Sequence, residues 1–207
     1  MNDQALNKAK LLDQSDVLAT YRQEFEMPND LKGNPLVYLC GNSLGLQPKQ
    51  TKKFINDELE HWAKWGVEGH TQGHNAWLPY HELLTHQMAK IVGGQDQEVV
   101  VMNTLTVNLH LMMVSFYRPT GQRHKIIIEA DAFPSDRYAV ESQIKFHGYD
   151  PNQSLLLWKP DPETGLCQMA SLKALMEQHK DSVALIMLGN SNYYSGQVYP
   201  IGAITEL

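Results

Sequence analysis

Short apolar runs and longer stretches of helical spacing alternate along the second half of the chain. Runs of three or more apolar residues predict buried strands, and longer stretches with apolar positions three or four apart predict helices. The predicted strands cover residues 99–101, 126–128, 155–157 and 183–188. The predicted helices cover residues 106–117, 135–147 and 171–179. Because buried strands that alternate with helices usually form parallel sheets, the pattern predicts an α/β domain with a mainly parallel sheet.

The first half of the chain is patterned mainly for helices. These are predicted over residues 5–25, 48–65 and 79–92, and a short strand over 37–40 leads into a turn at 41–45. We expect residues 1–47 to form an N-terminal segment of helix and loop, and residues 48–207 to form part of the α/β domain. The last seven residues resemble the first turns of another helix, so the sheet is expected to be incomplete at residue 207.

Composition and charge argue against several classes of protein. With 43% hydrophobic and 19% charged residues, the chain has the composition of a folded globular protein. No run of about 18 apolar residues is present and the N-terminus is polar, so neither a membrane span nor a secretion signal is predicted. A net charge of -6 without clustered Lys or Arg argues against a nucleic-acid partner. Cys40 and Cys167 form no Cys-x-x-Cys pair, so neither a disulfide framework nor a cysteine zinc site is indicated. Because a secretion signal is not predicted either, we expect a cytoplasmic protein.

Four histidines lie close together in the sequence and raise the question of a metal site. They are His70, His74, His81 and His86. His81 and His86 flank a sequence that resembles a zinc-binding helix motif, but it has one residue too many between the histidines. At about 100° per residue, the two side chains would lie about 140° apart around a helix and would not converge on one ion. No metal site is expected.

Three polar segments follow predicted strands, where loops at the carboxyl edge of an α/β sheet lead into helix N-termini and hold ligands. These segments are residues 102–108, 131–136 and 189–197. The hydroxyl residues of the first either cap the following helix or belong to a phosphate site. In the second, Phe133 either stacks on a flat ring or belongs to the core, and Ser135 either lines a site or caps the helix. The third is either a site loop or a plain connection.

Three motifs together resemble the kynureninase family of pyridoxal-phosphate enzymes. They are Gly-Asn-Ser-Leu-Gly at residues 41–45, Asn-Thr-Leu-Thr-Val-Asn-Leu-His at 103–110, and Ala-Phe-Pro-Ser-Asp at 132–136. They stand in the family's order, and the resemblance runs from about residue 36 to the end of the chain. It implies a type I fold, with a large α/β domain that is truncated here and preceded by an N-terminal helical segment carrying a substrate loop.

The resemblance also implies which residues hold the cofactor, pyridoxal 5'-phosphate. Leu105 and Thr106 match positions that bind its phosphate, and Phe133 matches the residue that stacks on its pyridine ring. Further positions beside the cofactor are matched by Pro134, Ser135, Asp136 and Gly189. At Gly189 relatives commonly carry Ser or Thr, and a glycine cannot make the side-chain contact of those residues.

Two residues match positions near the substrate, Ser43 and His70, with His70 placed to contact an aromatic amine. The implied reaction is hydrolysis of L-kynurenine to anthranilate and alanine, or of 3-hydroxykynurenine to the hydroxylated product. It belongs to tryptophan catabolism and NAD biosynthesis. The resemblance leaves open which of the two substrates is preferred.

In the family, the lysine that holds the cofactor, an Asp-x-x-His motif and an arginine for the substrate carboxylate lie further along the chain than residue 207. The resemblance therefore implies an N-terminal fragment of a hydrolase that works as a homodimer at full length, with no catalytic residue assigned here. One alternative is an inactive remnant or an interaction module. Another is a different type I enzyme such as a cysteine desulfurase, which would leave the first and third motifs unexplained.

Overall fold

The computed structural model describes residues 3–207, so residues 1 and 2 of the predicted N-terminal segment lie outside the described part. The chain forms two compact units, of which the first ends at Val101 and the second begins at Met102. The division at residue 47 that the sequence suggested stays a prediction. Among residues 3–207, no helix has the length and apolar character needed to cross a membrane.

The first unit is built from helices and turns. Its α-helices are α1 (Asp3–Ser15), α2 (Thr51–Trp65) and α3 (Thr85–Val92). Its 3-10 turns cover Ala19–Glu24, Gly66–His70, Tyr80–Glu82 and Asp96–Glu98. One continuous helix over residues 5–25 is wrong, because the Asp16 side chain accepts a hydrogen bond from the Leu18 N–H just after α1 and so competes with further helix. The helix over 79–92 is likewise divided into a 3-10 turn and α3.

Two strands predicted in the first unit are absent from its described residues. Residues 99–101 are irregular, although Val99 has an extended backbone with φ -125° and ψ 132°. Residues 37–40 lead into a turn in which the N–H groups of Ser43 and Leu44 both bond to the Cys40 carbonyl. Apolar and β-branched residues favour an extended backbone, but a strand also needs a partner for its hydrogen bonds, and the sequence does not specify one.

The second unit contains a three-stranded parallel sheet. Its strands are β1 (Lys125–Glu129), β2 (Leu155–Trp158) and β3 (Val183–Ile186), in the spatial order β2-β1-β3. Its helices are α4 (Leu105–Phe116), α5 (Pro134–Phe146), α6 (Pro151–Ser154), α7 (Met169–Gln178) and α8 (Ile201–Thr205). The central position of β1 explains why Ile126, Ile127 and Ile128 are fully buried. The prediction of an α/β domain with a parallel sheet is confirmed.

Helices cover both faces of this sheet. Successive side chains of a strand point to opposite faces, so Ile126 and Ile128 pack on one side and Ile127 on the other. The first face packs against α4 and α5 through a buried cluster that includes Met113, Tyr117, Ala139, Val140 and Ile144. The second packs against α7 and α8 through a cluster that includes Trp158, Cys167, Leu172, Tyr199 and Ile204. The second unit is therefore a three-layer α/β structure.

Candidate functional site

The helices α4 and α5 run side by side in the same direction. His110 Nδ1 lies 3.0 Å from Gln143 Nε2, and further along both chain segments the rings of Tyr117 and His147 meet edge to face, with centroids 5.3 Å apart. Contacts that advance along both helices together define parallel neighbours. Because α5 begins just after the carboxyl end of β1, the N-terminus of α4 lies at that edge of the sheet as well. Two helix N-termini thus share one edge, where anions are favoured.

The first turn of α4 carries no side-chain cap. Thr104 occupies the N-cap position with an extended backbone, but its hydroxyl makes no capping hydrogen bond. Asn103 precedes it in the left-handed region, with φ 51°, and its Nδ2 bonds to Asn108 Oδ1 at 3.1 Å. Asn108 Nδ2 in turn bonds to the Met102 carbonyl at 2.8 Å. The interpretation of this segment as a simple threonine cap is therefore wrong, and the backbone N–H groups of Leu105 and Thr106 point out of an uncapped turn.

The connection from β1 to α5 presents an exposed aromatic ring. Phe133 is the N-cap residue of α5 and is 51% exposed, so the alternative that places it in the core is wrong. Pro134 follows at the first helical position, where its missing N–H costs nothing. Ser135 does not cap the helix either, since its Oγ donates to Asp136 Oδ1 at 3.3 Å. Phe133, Pro134, Ser135 and Asp136 thus form one surface at the start of an uncapped helix.

The loop after β3 is organised by Asn192. Its Oδ1 accepts hydrogen bonds from the backbone N–H groups of Tyr194 and Ser195, both at 2.9 Å, which folds the loop into a turn. Its Nδ2 donates to the Asp131 carbonyl at 3.1 Å, which joins this loop to the one after β1. The ring of Tyr193 then meets Phe133 edge to face, with centroids 5.1 Å apart. The loop after β3 is therefore ordered and packs beside Phe133, while its role as a site loop stays a prediction.

A second attachment fixes the far end of the same loop. The Gln197 amide pairs with the backbone of Cys167, accepting from its N–H and donating to its carbonyl, both at 2.8 Å. Two hydrogen bonds to one residue fix the amide in a single orientation. The loop is therefore held both to the β1 edge and to the segment that precedes α7.

Gly189 begins this loop in a position with little space for a side chain. A Cβ atom there would lie 3.2 Å from the Ser191 carbonyl oxygen and 3.6 Å from Glu129 Oε1. Glu129 is 7% exposed, and this burial raises the pKa of its carboxyl group. A hydrogen bond from the Gly189 N–H lowers the same pKa by less than burial raises it. Asp136, another carboxylate, adds to the upward shift of that pKa. The close neighbours of Gly189 are thus a backbone carbonyl and a buried acid.

Ser43 and His70 belong to the first unit and are both exposed. Ser43 lies in the turn after Cys40, and Tyr38 Oη closes this turn by donating to the Leu44 carbonyl at 2.6 Å. His70 ends the 3-10 turn Gly66–His70, and its Nδ1 lies 2.8 Å from the Val67 carbonyl oxygen. Since a carbonyl only accepts, Nδ1 carries the proton, and in the neutral ring Nε2 is left as a hydrogen-bond acceptor.

The remaining histidines of the crowded stretch form no metal centre within residues 3–207, where no three His, Cys, Asp or Glu side chains are grouped to hold an ion. His86 instead pairs with Asp96, with Nδ1 and Oδ2 3.1 Å apart on the surface. His81 lies in a 3-10 turn, outside α3.

The sequence pointed to the segment 189–197 but not to the roles of single residues within it. Asn192 and Tyr193 join this loop to the one after β1, and Gln197 joins it to Cys167. Glu129 lies outside all three candidate segments. A signal was present for Asn192, because Asn followed three residues later by Ser is a common turn sequence. The others depend on contacts between segments far apart in the sequence, such as that of Gln197 with Cys167 across 30 residues, and leave no local pattern.

Curated relatives match this chain over nearly its whole length, although no protein-family model matches it. The chain is 53% identical over 198 residues to a kynureninase of Myxococcus xanthus, 50% over 204 residues to one of Koribacter versatilis, and 45% over 199 residues to one of Christiangramia forsetii. These matches cover 96%, 99% and 96% of this chain but only 46%, 48% and 46% of the relatives. The chain thus spans about half the length of the curated relatives it matches, and by sequence it belongs to the kynureninase family, matching the N-terminal half of those proteins.

Proposed function

We propose that this chain supplies part of the active site of a kynureninase, which hydrolyses L-kynurenine to anthranilate and L-alanine with pyridoxal 5'-phosphate as cofactor. The observation that carries the proposal is 53% identity over 198 residues to a protein named kynureninase. The activity, the substrate and the partners belong to the whole protein. For the whole protein we further propose a type I fold, a homodimer and a cytoplasmic location. The preference between kynurenine and 3-hydroxykynurenine is also a property of the whole protein.

The edge of the sheet in the second unit fits the cofactor chemically. Its phosphate requires hydrogen-bond donors, and the uncapped first turn of α4 offers the N–H groups of Leu105 and Thr106 together with the Thr106 hydroxyl. Its ring requires a flat apolar surface, and the half-exposed Phe133, held from the side by Tyr193, provides one. When bound, the cofactor withdraws electrons from the substrate carbon attached to its amine.

Other residues at this edge set the electrostatic surroundings of the cofactor. Asp136 is fixed by Ser135 at the start of α5, where the positive end of the helix dipole stabilises its negative charge. At Gly189 a Cβ atom would crowd the Ser191 carbonyl and the buried Glu129, so this position brings only its backbone N–H to the Glu129 carboxyl group and offers the cofactor no side-chain contact. Pro134 favours the extended backbone that Phe133 adopts before α5, with φ -57° and ψ 135°.

The substrate-facing residues of the proposal are Ser43 and His70. With its Nδ1–H bonded to the Val67 carbonyl, the neutral His70 ring presents Nε2 as an acceptor. An aromatic amine is a hydrogen-bond donor, so the tautomer of His70 suits the amine of kynurenine. Ser43 offers a hydroxyl, which both donates and accepts, from an exposed turn.

The proposal is tested on the complete gene product that contains this chain. The protein is purified with and without pyridoxal phosphate, and anthranilate release from L-kynurenine is followed by fluorescence. We expect release that depends on the added cofactor. Sulfide release from cysteine in its place would assign the protein to the desulfurases. Absence of both activities in a folded, cofactor-saturated protein would favour an inactive remnant or an interaction module.

A further inference from the structure

Glu58, on α2 of the first unit, uses both oxygens of its carboxyl group to hold a distant segment. Oε1 accepts a hydrogen bond from Asn75 Nδ2 at 3.1 Å, and Oε2 accepts one from Trp77 Nε1 at 3.2 Å. The residue is half-buried, and both of its partners are 17 or more residues away in the sequence. Glu58 therefore connects α2 to the segment that follows His70.

The position of Trp77 fixes His70 through the backbone and through the ring. The Trp77 N–H donates to the Gly69 carbonyl at 3.1 Å, and the Leu78 N–H donates to the His70 carbonyl at 3.0 Å. The ring of His70 meets the Trp77 ring edge to face, with centroids 5.2 Å apart and planes at 83°. Any shift of the Trp77 indole therefore moves both the main chain and the imidazole of His70.

A tightly packed histidine lies beneath this segment. His61 Nε2 lies 3.2 Å from the Gly69 carbonyl oxygen, and its ring lies 5.2 Å from that of Trp77. A Cβ atom on Gly69 would lie 3.0 Å from His61, and one on Gly73 would lie 2.3 Å from it. The segment therefore packs closely around His61, and Glu58 holds the same segment from the α2 side.

We propose that Glu58 is the positioning residue for His70, holding its imidazole where Nε2 meets the aromatic amine of the substrate. The inference rests on the proposed function for its link to the substrate. The structural link from Glu58 to His70 stands on the hydrogen bonds and ring contact alone, and it is measured separately. Glu58 itself touches no reacting atom.

The structural link is tested by NMR on the 207-residue chain, with the imidazole signals of His70 assigned through His70→Gln. Glu58→Ala should shift both carbon-bound ring protons of His70, because the Trp77 ring current that they sense changes with its position. Glu60→Ala is the matched control, since Glu60 is an exposed carboxylate on the same helix. Trp77→Phe, which keeps a ring but loses the donor to Glu58, should shift the same signals in a chain whose circular dichroism is unchanged. Unmoved His70 signals in both Glu58→Ala and Trp77→Phe would overturn the proposal.

The functional consequence is tested in the complete enzyme. We expect Glu58→Ala to raise KM for L-kynurenine about tenfold with a smaller change in kcat, and Glu60→Ala to change neither. An unchanged KM in an active Glu58→Ala enzyme would overturn the proposal even if the NMR signals moved. If the wild-type enzyme does not cleave kynurenine at all, the proposed function fails while the NMR result still decides whether Glu58 positions His70.

Discussion

Replacing Gly73 by alanine is expected to destabilise the first unit far more than replacing Gly33 by alanine. Both glycines have a positive φ, 88° at Gly73 and 85° at Gly33, so alanine suffers nearly the same backbone strain at each. That strain is about 1–2 kcal/mol. The two sites differ in space, because no atom lies within 4 Å of a Cβ on Gly33, whereas a Cβ on Gly73 would lie 2.3 Å from His61 Cε1.

The crowding at Gly73 adds a second cost. His61 has little freedom to turn away, since its Nε2 bonds to the Gly69 carbonyl and its ring packs against Trp77. Inserting a methyl group into such a packed site costs about 1–3 kcal/mol. The loss of unfolding free energy should therefore be about 1–2 kcal/mol for Gly33→Ala and about 2–5 kcal/mol for Gly73→Ala.

Urea denaturation followed by tryptophan fluorescence measures this difference. Three of the four tryptophans, Trp62, Trp65 and Trp77, lie in the first unit, so the signal reports mainly on that unit. Gly33→Ala serves as the matched control for backbone strain. Equal losses in the two variants would refute the packing argument, and with it the claim that residues 69–77 pack closely around His61.

Two further predictions concern the second unit. In the complete enzyme, Phe133→Ala should weaken binding of pyridoxal phosphate by about 1–3 kcal/mol through lost stacking and burial, and Thr106→Ala by about 1 kcal/mol through a lost hydrogen bond. Cofactor titration measures both, and unchanged affinities would argue against a phosphate and ring site here. Burial raises the pKa of Glu129 in the folded state, so its contribution to stability is present at low pH and is lost as pH rises through that pKa. Glu129→Gln should flatten this part of the stability profile measured by urea denaturation from pH 4 to 8, and an unchanged slope would contradict the burial argument.

The sheet of the second unit was predictable from sequence because its strands are buried on both faces. Residues 126–128 are three consecutive isoleucines. A strand buries every side chain of such a run only when it is central and covered by helices on both faces. Residues 99–101 are three consecutive valines with the same local preference, yet they form no strand, and Val100 is 48% exposed. The difference lies in pairing partners, which a local pattern does not contain.

The candidate site was predictable where a residue acts through its own local backbone. The start of α4 and the Phe133–Asp136 segment carried motifs, and the structure locates both at helix N-termini. The connections between segments were not predictable. Asn192 reaches Asp131 across 61 residues, and Glu58 reaches Trp77 across 19, so their importance arises only when the chain has folded.

The order of strands in the sheet also has a consequence for synthesis on the ribosome. β1 is central in space but first in sequence, so it gains β2 first and stays without its second neighbour until β3 has been made. β3 ends at Ile186, roughly 60 residues after β1, which at about 5–20 residues per second corresponds to about 3–12 s of translation. During that interval Ile126 to Ile128, which are fully buried in the folded unit, lack part of the structure that buries them. The growing polypeptide is then most exposed to aggregation and most dependent on chaperones.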